Sequence, residues 1–188
     1  MFLMSIGCLG ALCASSAQTL AQAPSVRNLK TEGKRIITIY FSWAGSCRDV
    51  AHEVQRLIGG DLVELKTQVP YPAKYEDTVN RAKAERKANL RPPLQPIPDL
   101  SGYDIVCIGH PIWSGSMPMA LYGFFESQDL SGKTLVHFNT HGGSGQGDSH
   151  REIARLEPKA QLLEGLAVYG WRGVRDLPSV ERWLKHIG

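Results

Sequence analysis

The sequence predicts an α/β fold in which helices cover both faces of a five-stranded parallel sheet. Five strand patterns alternate with helical patterns along the chain, which is typical of parallel sheets buried on both sides. At 188 residues, the chain has the length of one domain with a three-layer core. Its 43% hydrophobic and 21% charged content is ordinary for a globular protein.

The first strand, loop and helix form the most informative stretch. Residues 36–41 are β-branched or aromatic and predict a buried strand. Residues 42–47 form a short loop rich in small residues. Apolar positions from Val50 to Ile58 then recur at helical spacing until Gly59. Such a unit directs backbone N–H groups and the positive end of the helix dipole at one point, which suits a phosphate.

The middle of the chain predicts a strand, a helix and a long crossover. Residues 61–66 alternate as a half-buried strand, and residues 67–73 contain two prolines and predict a loop. Residues 75–88 predict a highly charged helix with little apolar face, which a proline-rich connection at residues 91–98 ends. We interpret this connection as a crossover because the next strand needs a parallel neighbour.

The remaining elements keep the alternation. A turn at residues 101–104 precedes a strand at residues 105–110, and apolar residues from Met117 to Phe125 predict the third helix. The last predicted elements are a strand at 134–139, a helix at 151–156, a strand at 162–169 and a helix at 179–186.

The charge distribution argues against a nucleic-acid surface. The formal net charge is only +3, and the basic residues, which include a local cluster at residues 81–91, are scattered among Asp and Glu residues. No basic stripe with interleaved aromatic residues is present in the sequence.

The N-terminal segment predicts a secretory signal peptide at residues 1–23, followed by a single domain at residues 24–188. Residues 1–23 contain no charged side chain, and Ala17 and Ala21 offer small-residue cleavage positions. The segment is too short and interrupted to span a membrane, so we expect no stable membrane insertion. Export, as to the periplasm, is therefore the expectation; a cytoplasmic protein with an N-terminal extension is the alternative.

Three loops resemble those of a known protein family. Residues 40–48 resemble the phosphate-binding loop of the flavodoxin family, and residues 109–115 and 139–147 resemble its second and third flavin loops. The resemblance covers about residues 35–170. It implies FMN as the cofactor and a doubly wound three-layer sandwich with strand order 2-1-3-4-5. That order places the ends of strands one, three and four side by side, where ligands bind in such sheets.

The resemblance also implies a set of cofactor-binding residues, with no catalytic residue and no metal. They are Ser42, Trp43, Ala44, Gly45, Ser46 and Cys47 in the first loop, Pro111, Ile112, Trp113 and Ser114 in the second, and Thr140, His141, Gly142, Gly143 and Gly147 in the third. Ala44 stands where the family commonly has Ser or Thr, and Cys47 where it has Thr. Each lost hydroxyl donor costs about 1.5–3 kcal/mol on the scale of bonds to a charged group, and Arg48 offers partial compensation.

Several side chains have two interpretations. Trp113 either stacks on the flavin ring or anchors its loop to the core, and Trp43 either faces the phosphate or packs on the third helix. Cys47 either packs or, as a thiolate at a helix N-terminus, is reactive. The third loop lacks an aromatic residue, so Tyr169 or Trp171 is the candidate to cover the second flavin face.

These observations predict an exported FMN protein that carries electrons to a redox partner protein or a small-molecule acceptor. An FMN-dependent quinone or nitro reductase using NAD(P)H is the alternative, because an open third loop leaves a flavin face free. A third hypothesis is a non-redox module whose flavin site has decayed at Ala44 and Cys47. Whether the protein is an enzyme stays open from the sequence.

Overall fold

A computed structural model describes residues 29–171 and 173–187. The predicted signal peptide therefore lies outside the described residues. The strands are β1 (Ile36–Tyr40), β2 (Asp61–Glu64), β3 (Ile105–Pro111), β4 (Thr134–His141), β5 (Gln161–Leu162) and β6 (Leu166–Tyr169). The helices are α1 (Ser46–Ile58), α2 (Tyr75–Lys87), α3 (Met119–Ser127), α4 (Ser149–Leu156) and α5 (Pro178–Leu184).

The sheet is parallel and has the predicted order. It runs β2-β1-β3-β4-β5, and β6 also pairs with β4. The predicted order 2-1-3-4-5 is thereby confirmed. The carboxyl ends of β1, β3 and β4 consequently meet at one edge of the sheet, because parallel neighbours end on the same side.

The predicted continuous fifth strand at residues 162–169 is wrong, because two short strands share this position. Leu135 pairs with Leu162 and Phe138 with Leu166, so two residues of β4 face three residues, 163–165, on the other side. This extra residue is a bulge of a kind that is rare in parallel pairs. Its Glu164 carbonyl accepts a hydrogen bond from the Trp183 indole N–H at 2.9 Å.

A buried histidine next to the bulge explains why Gly165 occupies it. A Cβ atom added at Gly165 would overlap the ring of His137 and the amide of Gln146. The chain passes this polar cluster only where it has no side chain.

The third helix begins two residues later than predicted. Pro118 is extended, with φ −57° and ψ 149°, and Met119 is the first helical residue. The residue before a proline is biased away from helical geometry, so Met117 stays outside the helix.

Two hydrophobic clusters lie on opposite faces of the sheet. On one face, α1 packs on α5 with buried residues that include Val50, Val54 and Leu184. On the other face, residues of α3 and α4 such as Phe124 and Ile153 cover the sheet. Both faces are thus covered, as the pattern of strands and helices predicts.

Candidate functional site

A cavity of about 470 Å³ lies at the carboxyl ends of β1, β3, β4 and β6. Most of the predicted site residues line it: Ser42, Trp43, Ala44, Ser46, Cys47, Pro111, Ile112, Trp113, Thr140, His141 and Gly142. Gly45, Ser114, Gly143 and Gly147 belong to the same loops but do not line the wall. Tyr75, Tyr169, Gly170 and Trp171 complete the lining. Of these four, Tyr75 and Gly170 are missing from the sequence-based prediction.

The first loop presents free backbone donors to the cavity. Gly45 has φ +92°, a conformation that glycine adopts without strain, and α1 begins at the next residue. The first helical hydrogen bond joins the N–H of Asp49 to the carbonyl of Gly45 at 3.1 Å. The N–H groups of Ser46 and Cys47 precede this bond and have no intrahelical acceptor. Such a helix start attracts an anion.

The two serines of this loop differ in their bonding. The Ser46 hydroxyl donates to the carbonyl of Gly170 at 2.7 Å and ties the first loop to the segment after β6. The Ser42 Oγ accepts from the N–H of Arg48 at 3.3 Å, which leaves the Ser42 proton for a ligand. Ser42 is therefore the better hydroxyl donor of the two.

Arg48 at the end of this loop is paired with a carboxylate, and the Cys47 thiol is buried. The Arg48 guanidinium pairs with Glu64 of β2 at 2.9 Å, so its charge is shared with that carboxylate. Burial raises the pKa of the Cys47 thiol well above its usual value. The thiol form therefore dominates at neutral pH, which favours packing over reactivity for Cys47.

Trp113 of the second loop packs edge-on against two aromatic residues. Its ring centroid lies 4.9 Å from that of Tyr71 and 5.5 Å from that of Phe41, with interplanar angles of 80° and 88°. Its backbone N–H donates to the carbonyl of Ser116 at 2.7 Å and closes the loop. The indole is thus anchored in an aromatic cluster while it also lines the cavity.

A buried carboxylate fixes this aromatic cluster. Glu85 of α2 is 6% exposed and accepts hydrogen bonds from the Tyr71 hydroxyl at 2.6 Å and from Arg81 Nε at 2.7 Å. The Arg81 guanidinium lies 4.0 Å from the Tyr71 ring centroid, a cation–π contact. Burial and the bond to Glu85 raise the pKa of Tyr71, so the phenol stays a donor. Through Tyr71, the charged helix α2 positions Trp113.

Trp43 contacts Tyr75 of α2 and the loop before it, and among the described residues no hydrogen bond or ring contact joins it to the third helix, which is one of its two predicted environments. Its indole N–H donates to the carbonyl of Pro72 at 2.8 Å, and its ring lies 6.0 Å from that of Tyr75. Tyr75 also meets Trp171 edge-on at 5.7 Å. Tyr75 and Trp171 remain 53% and 49% exposed and form an aromatic rim at the cavity mouth.

The third loop is joined to the second loop by the backbone. The N–H of Asp148 donates to the carbonyl of Gly115 at 2.9 Å. Gly147 has φ +56°, and a Cβ atom there would overlap the same carbonyl. Glycine is required here by both the close approach and the left-handed conformation.

His141 contributes a hydrogen-bond donor to the cavity wall. Its Nδ1 accepts from the N–H of Gly143 at 3.0 Å, and its ring lies edge-on to Tyr169 at 5.9 Å. Partial burial lowers the pKa of His141, so the imidazole is neutral at neutral pH. With Nδ1 as acceptor, the proton of the neutral ring is on Nε2.

A hydrogen-bonded ring below the third loop holds that loop in place. The amide of Gln146 donates to Nδ1 of His137 at 3.4 Å, Nε2 of His137 donates to Ser149 Oγ at 3.2 Å, and Ser149 Oγ donates to the Gln146 carbonyl at 2.7 Å. Burial and the neighbouring His110 and His150 lower the pKa of His137 well below its usual value. A neutral His137 is what this bonding pattern requires.

His110 and Asn139 enlarge the buried polar layer. The His110 and His137 rings stack at 5.2 Å, and burial lowers the pKa of His110 to about 4. Within the described part of the chain, His110 Nε2 and both amide atoms of Asn139 have no hydrogen-bond partner. The sequence shows no signal for this layer, because these residues stand in strand patterns that otherwise predict core.

The described residues contain neither a membrane-spanning helix nor a candidate metal cluster. Over residues 29–171 and 173–187, no helix has the length and apolar character needed to cross a membrane. In the same residues, no group of three or more His, Cys, Asp or Glu side chains is arranged to hold a metal ion.

The chain is similar to one protein family and to several solved structures. The sequence profile of the family described as flavodoxin matches residues 35–187. No curated protein matches the chain. A crystal structure from Bacteroides uniformis ATCC 8492, provisionally described as a flavoprotein, is 28% identical, covers 82% of this chain and 99% of its own, and has a TM-score of 0.72. A second such structure, from Bacteroides eggerthii DSM 20697, is 29% identical, covers 80% and 96%, and has a TM-score of 0.70.

A third structure is similar in fold alone. It is a flavoprotein in complex with FMN from Lactobacillus acidophilus NCFM, with 21% identity, coverage of 80% and 98%, and a TM-score of 0.64.

Proposed function

This chain belongs to the flavodoxin family, and we propose that it binds FMN in the 470 Å³ cavity and carries electrons. The observation that carries the proposal is the convergence of three loops on one cavity that combines an anion site with aromatic walls. A volume of this size lies within the usual range for ligands the size of a drug or cofactor.

The residues present fit FMN. The N–H groups at the start of α1 and the Ser42 hydroxyl would hold the phosphate. Trp113 offers an aromatic wall to the flavin ring, and Trp171 at the mouth is the candidate for its other face. The Nε2–H of His141 and the backbone of the third loop offer donors to the polar edge of the ring. When bound, FMN supplies one- and two-electron redox chemistry, which the protein tunes through stacking and hydrogen bonding.

Electron transfer needs no acid or base from the protein in this proposal. His141 is neutral, Cys47 is a buried thiol, and the described residues that line the cavity include neither Asp nor Glu. The half-exposed rim of Tyr75, Tyr169 and Trp171 leaves the mouth accessible to a redox partner protein or a small-molecule acceptor.

An FMN-dependent reductase using NAD(P)H is the second candidate function. It is favoured by the open mouth of the cavity, whose rim of Tyr75, Tyr169 and Trp171 is half-exposed. Rapid reduction of bound flavin by NADPH without a protein partner would favour the reductase, whereas flavin that does not react with nicotinamides would exclude it.

The first experiment is the visible absorption spectrum of purified protein before and after addition of FMN and desalting. Retained flavin bands that are shifted from those of free FMN support the proposal. A Ser42→Ala variant, which removes the hydroxyl whose proton is left for a ligand, should bind FMN more weakly than the parent. A spectrum without flavin bands in both samples would contradict FMN binding and support the module with a decayed site.

We also propose that residues 1–23 direct export. Their uncharged, apolar composition supports this proposal. N-terminal sequencing of protein from fractionated cells tests it: a mature terminus after Ala17 or Ala21 outside the cytoplasm supports export, and an intact N-terminus in the cytoplasm contradicts it.

A further inference from the structure

The second loop turns tightly between Trp113 and Ser116. The N–H of Trp113 donates to the carbonyl of Ser116 at 2.7 Å, and the N–H of Ser116 donates to the carbonyl of Trp113 at 3.2 Å. The two central residues, Ser114 and Gly115, have φ of +49° and +81°, as in a type I′ turn. A serine in the left-handed region is unfavourable, so such a turn persists where contacts from other segments hold it.

Arg86 of α2 contacts both ends of this turn. Its Nη2 group donates to the carbonyl of Met117 at 2.6 Å and, in a longer bond of 3.4 Å, to the carbonyl of Trp113. Trp113 is the first residue of the turn, and Met117 directly follows its last residue. One guanidinium group therefore closes the base of the turn and joins it to α2.

The side chain of Arg86 also lies against α3. Its guanidinium carbon is 5.8 Å from the centroid of the Tyr122 ring, and the Tyr122 hydroxyl is 3.3 Å from the hydroxyl of Ser116. Within residues 29–171 and 173–187, the half-buried Arg86 forms no ion pair with a carboxylate. The backbone carbonyls of the second loop are therefore its acceptors.

A polar cavity of about 480 Å³ lies behind the turn. Its lining includes Arg86, Ser114, Ser116 and Tyr122. Because this space is open, the turn is not packed against other side chains over this surface. Hydrogen bonds from Arg86, rather than close packing, join the turn to α2 here.

Arg86 complements the contact that holds the ring of Trp113. Glu85, the preceding residue of α2, fixes that ring through Tyr71. Arg86 instead contacts the backbone of the same tryptophan. Two adjacent residues of one helix thus act on the two parts of Trp113, its ring and its main chain.

We propose that Arg86 is a positioning residue of the flavin site, which sets where the second loop and Trp113 lie against the flavin ring. This role toward FMN rests on the proposed function, whereas the hold of Arg86 on the turn does not require FMN. Loss of the guanidinium donors frees the base of the turn, and the main chain of Trp113 then shifts while Tyr71 still contacts its ring. FMN consequently binds more weakly and stacks less closely.

Arg86→Met tests the proposal, because methionine keeps an aliphatic stem and removes every donor. The matched control is Lys87→Met, which removes the same charge from an exposed residue of α2 that has no hydrogen bond or ion pair within the described part of the chain. Without FMN, hydrogen exchange followed by mass spectrometry should become faster over residues 112–118 in Arg86→Met alone. With FMN, the dissociation constant should rise about tenfold, and the bands of the bound flavin should lie closer to those of free FMN.

An Arg86→Lys variant keeps the proposal testable if Arg86→Met does not fold. Lysine keeps the charge and a donor, but it is shorter and does not reproduce the planar contact with Tyr122. Its exchange over residues 112–118 and its FMN dissociation constant should therefore exceed those of the parent and stay below those of Arg86→Met.

Unchanged exchange in both Arg86 variants would overturn the hold of Arg86 on the turn. Faster exchange with an unchanged FMN affinity and flavin spectrum would overturn its role in the flavin site, since a purely stabilising arginine predicts that result. Equal weakening of FMN binding by Arg86→Met and Lys87→Met would also overturn that role, because the lost charge alone would explain it. If the parent binds no FMN, the proposed function fails, and the exchange measurements still decide whether Arg86 holds the turn.

Discussion

Tyr71 is predicted to stabilise the fold through its hydroxyl and the flavin site through its ring. The hydroxyl donates to Glu85 at 2.6 Å, and Glu85 is buried. Tyr71→Phe removes a bond to a charged acceptor, which costs about 1.5–3 kcal/mol. For a domain of this size, each kcal/mol lowers Tm by about 2–4 °C, so we expect a decrease of about 3–12 °C.

The ring of Tyr71 should act separately from its hydroxyl. Phenylalanine keeps the edge contacts with Trp113 and Phe41, so Tyr71→Phe should leave the FMN affinity nearly unchanged. Tyr71→Leu removes both aromatic pairs, each worth about 0.5–1.5 kcal/mol beyond the buried area. Trp113 then loses its support, and FMN binding should weaken as well.

Thermal unfolding followed by circular dichroism gives Tm, and quenching of flavin fluorescence gives the FMN dissociation constant. A double-mutant cycle with Glu85→Gln isolates the hydroxyl–carboxylate bond, since the two residues are in contact. An unchanged Tm for Tyr71→Phe would refute the stabilising bond. An unchanged FMN affinity for Tyr71→Leu would refute the positioning of Trp113 by Tyr71.

Three further predictions concern the loops and a buried carboxyl. Ala44→Ser places a hydroxyl at the exposed cavity wall. It should strengthen FMN binding by about 1.5–3 kcal/mol, or roughly tenfold to a hundredfold, in a fluorescence titration, whereas Ala73→Ser outside that cavity should not. Gly147→Ala should destabilise the protein more than Gly115→Ala in chemical denaturation. Both glycines have positive φ, but only Gly147→Ala places a methyl group against a backbone carbonyl. Equal losses of unfolding free energy in the two variants would contradict this reasoning. Burial and the neighbouring Asp129 raise the pKa of Glu157 to about 7 from its ordinary 4.5, so its stabilising contribution is complete at low pH and is lost as the pH rises through about 7. The change in unfolding free energy caused by Glu157→Gln, measured in denaturant titrations, should therefore be more favourable at pH 8 than at pH 5. The same change at both pH values would exclude this role for Glu157.

The predicted architecture followed from local pattern and from the resemblance of three loops. Strands such as β3 are continuous apolar runs, and helices such as α1 show apolar residues at helical spacing, so their type can be predicted from neighbours in sequence. Parallel strands joined by helices then require a sheet covered on both faces. The strand order came with the family resemblance, which also indicated the first, second and third loops.

Other features depend on contacts between distant segments. The bulge at residues 163–165 reflects the ring of His137 on a neighbouring strand, which no pattern within residues 162–169 reveals. Tyr75 belongs to a charged helix, yet its position beside Trp43 and Trp171 makes it part of the cavity wall. The bond from Tyr71 to Glu85 likewise forms only when the loop of residues 67–73 folds back on α2, whereas the bond from Arg81 to Glu85 is local to that helix.

The sequence by itself determined which segments become strands, helices and glycine loops, because backbone conformation and apolar spacing are local properties. Only the tertiary structure decided which side chains surround each cavity and which hydroxyls stay free. Ser42 and Ser46 lie in one loop, but the Ser46 hydroxyl donates its hydrogen bond to the carbonyl of Gly170, which is distant in sequence. The Ser42 hydroxyl accepts from Arg48 and keeps its proton for a ligand. Hydrogen bonds across the fold are set by where packing brings each partner, and this information is spread over the whole chain.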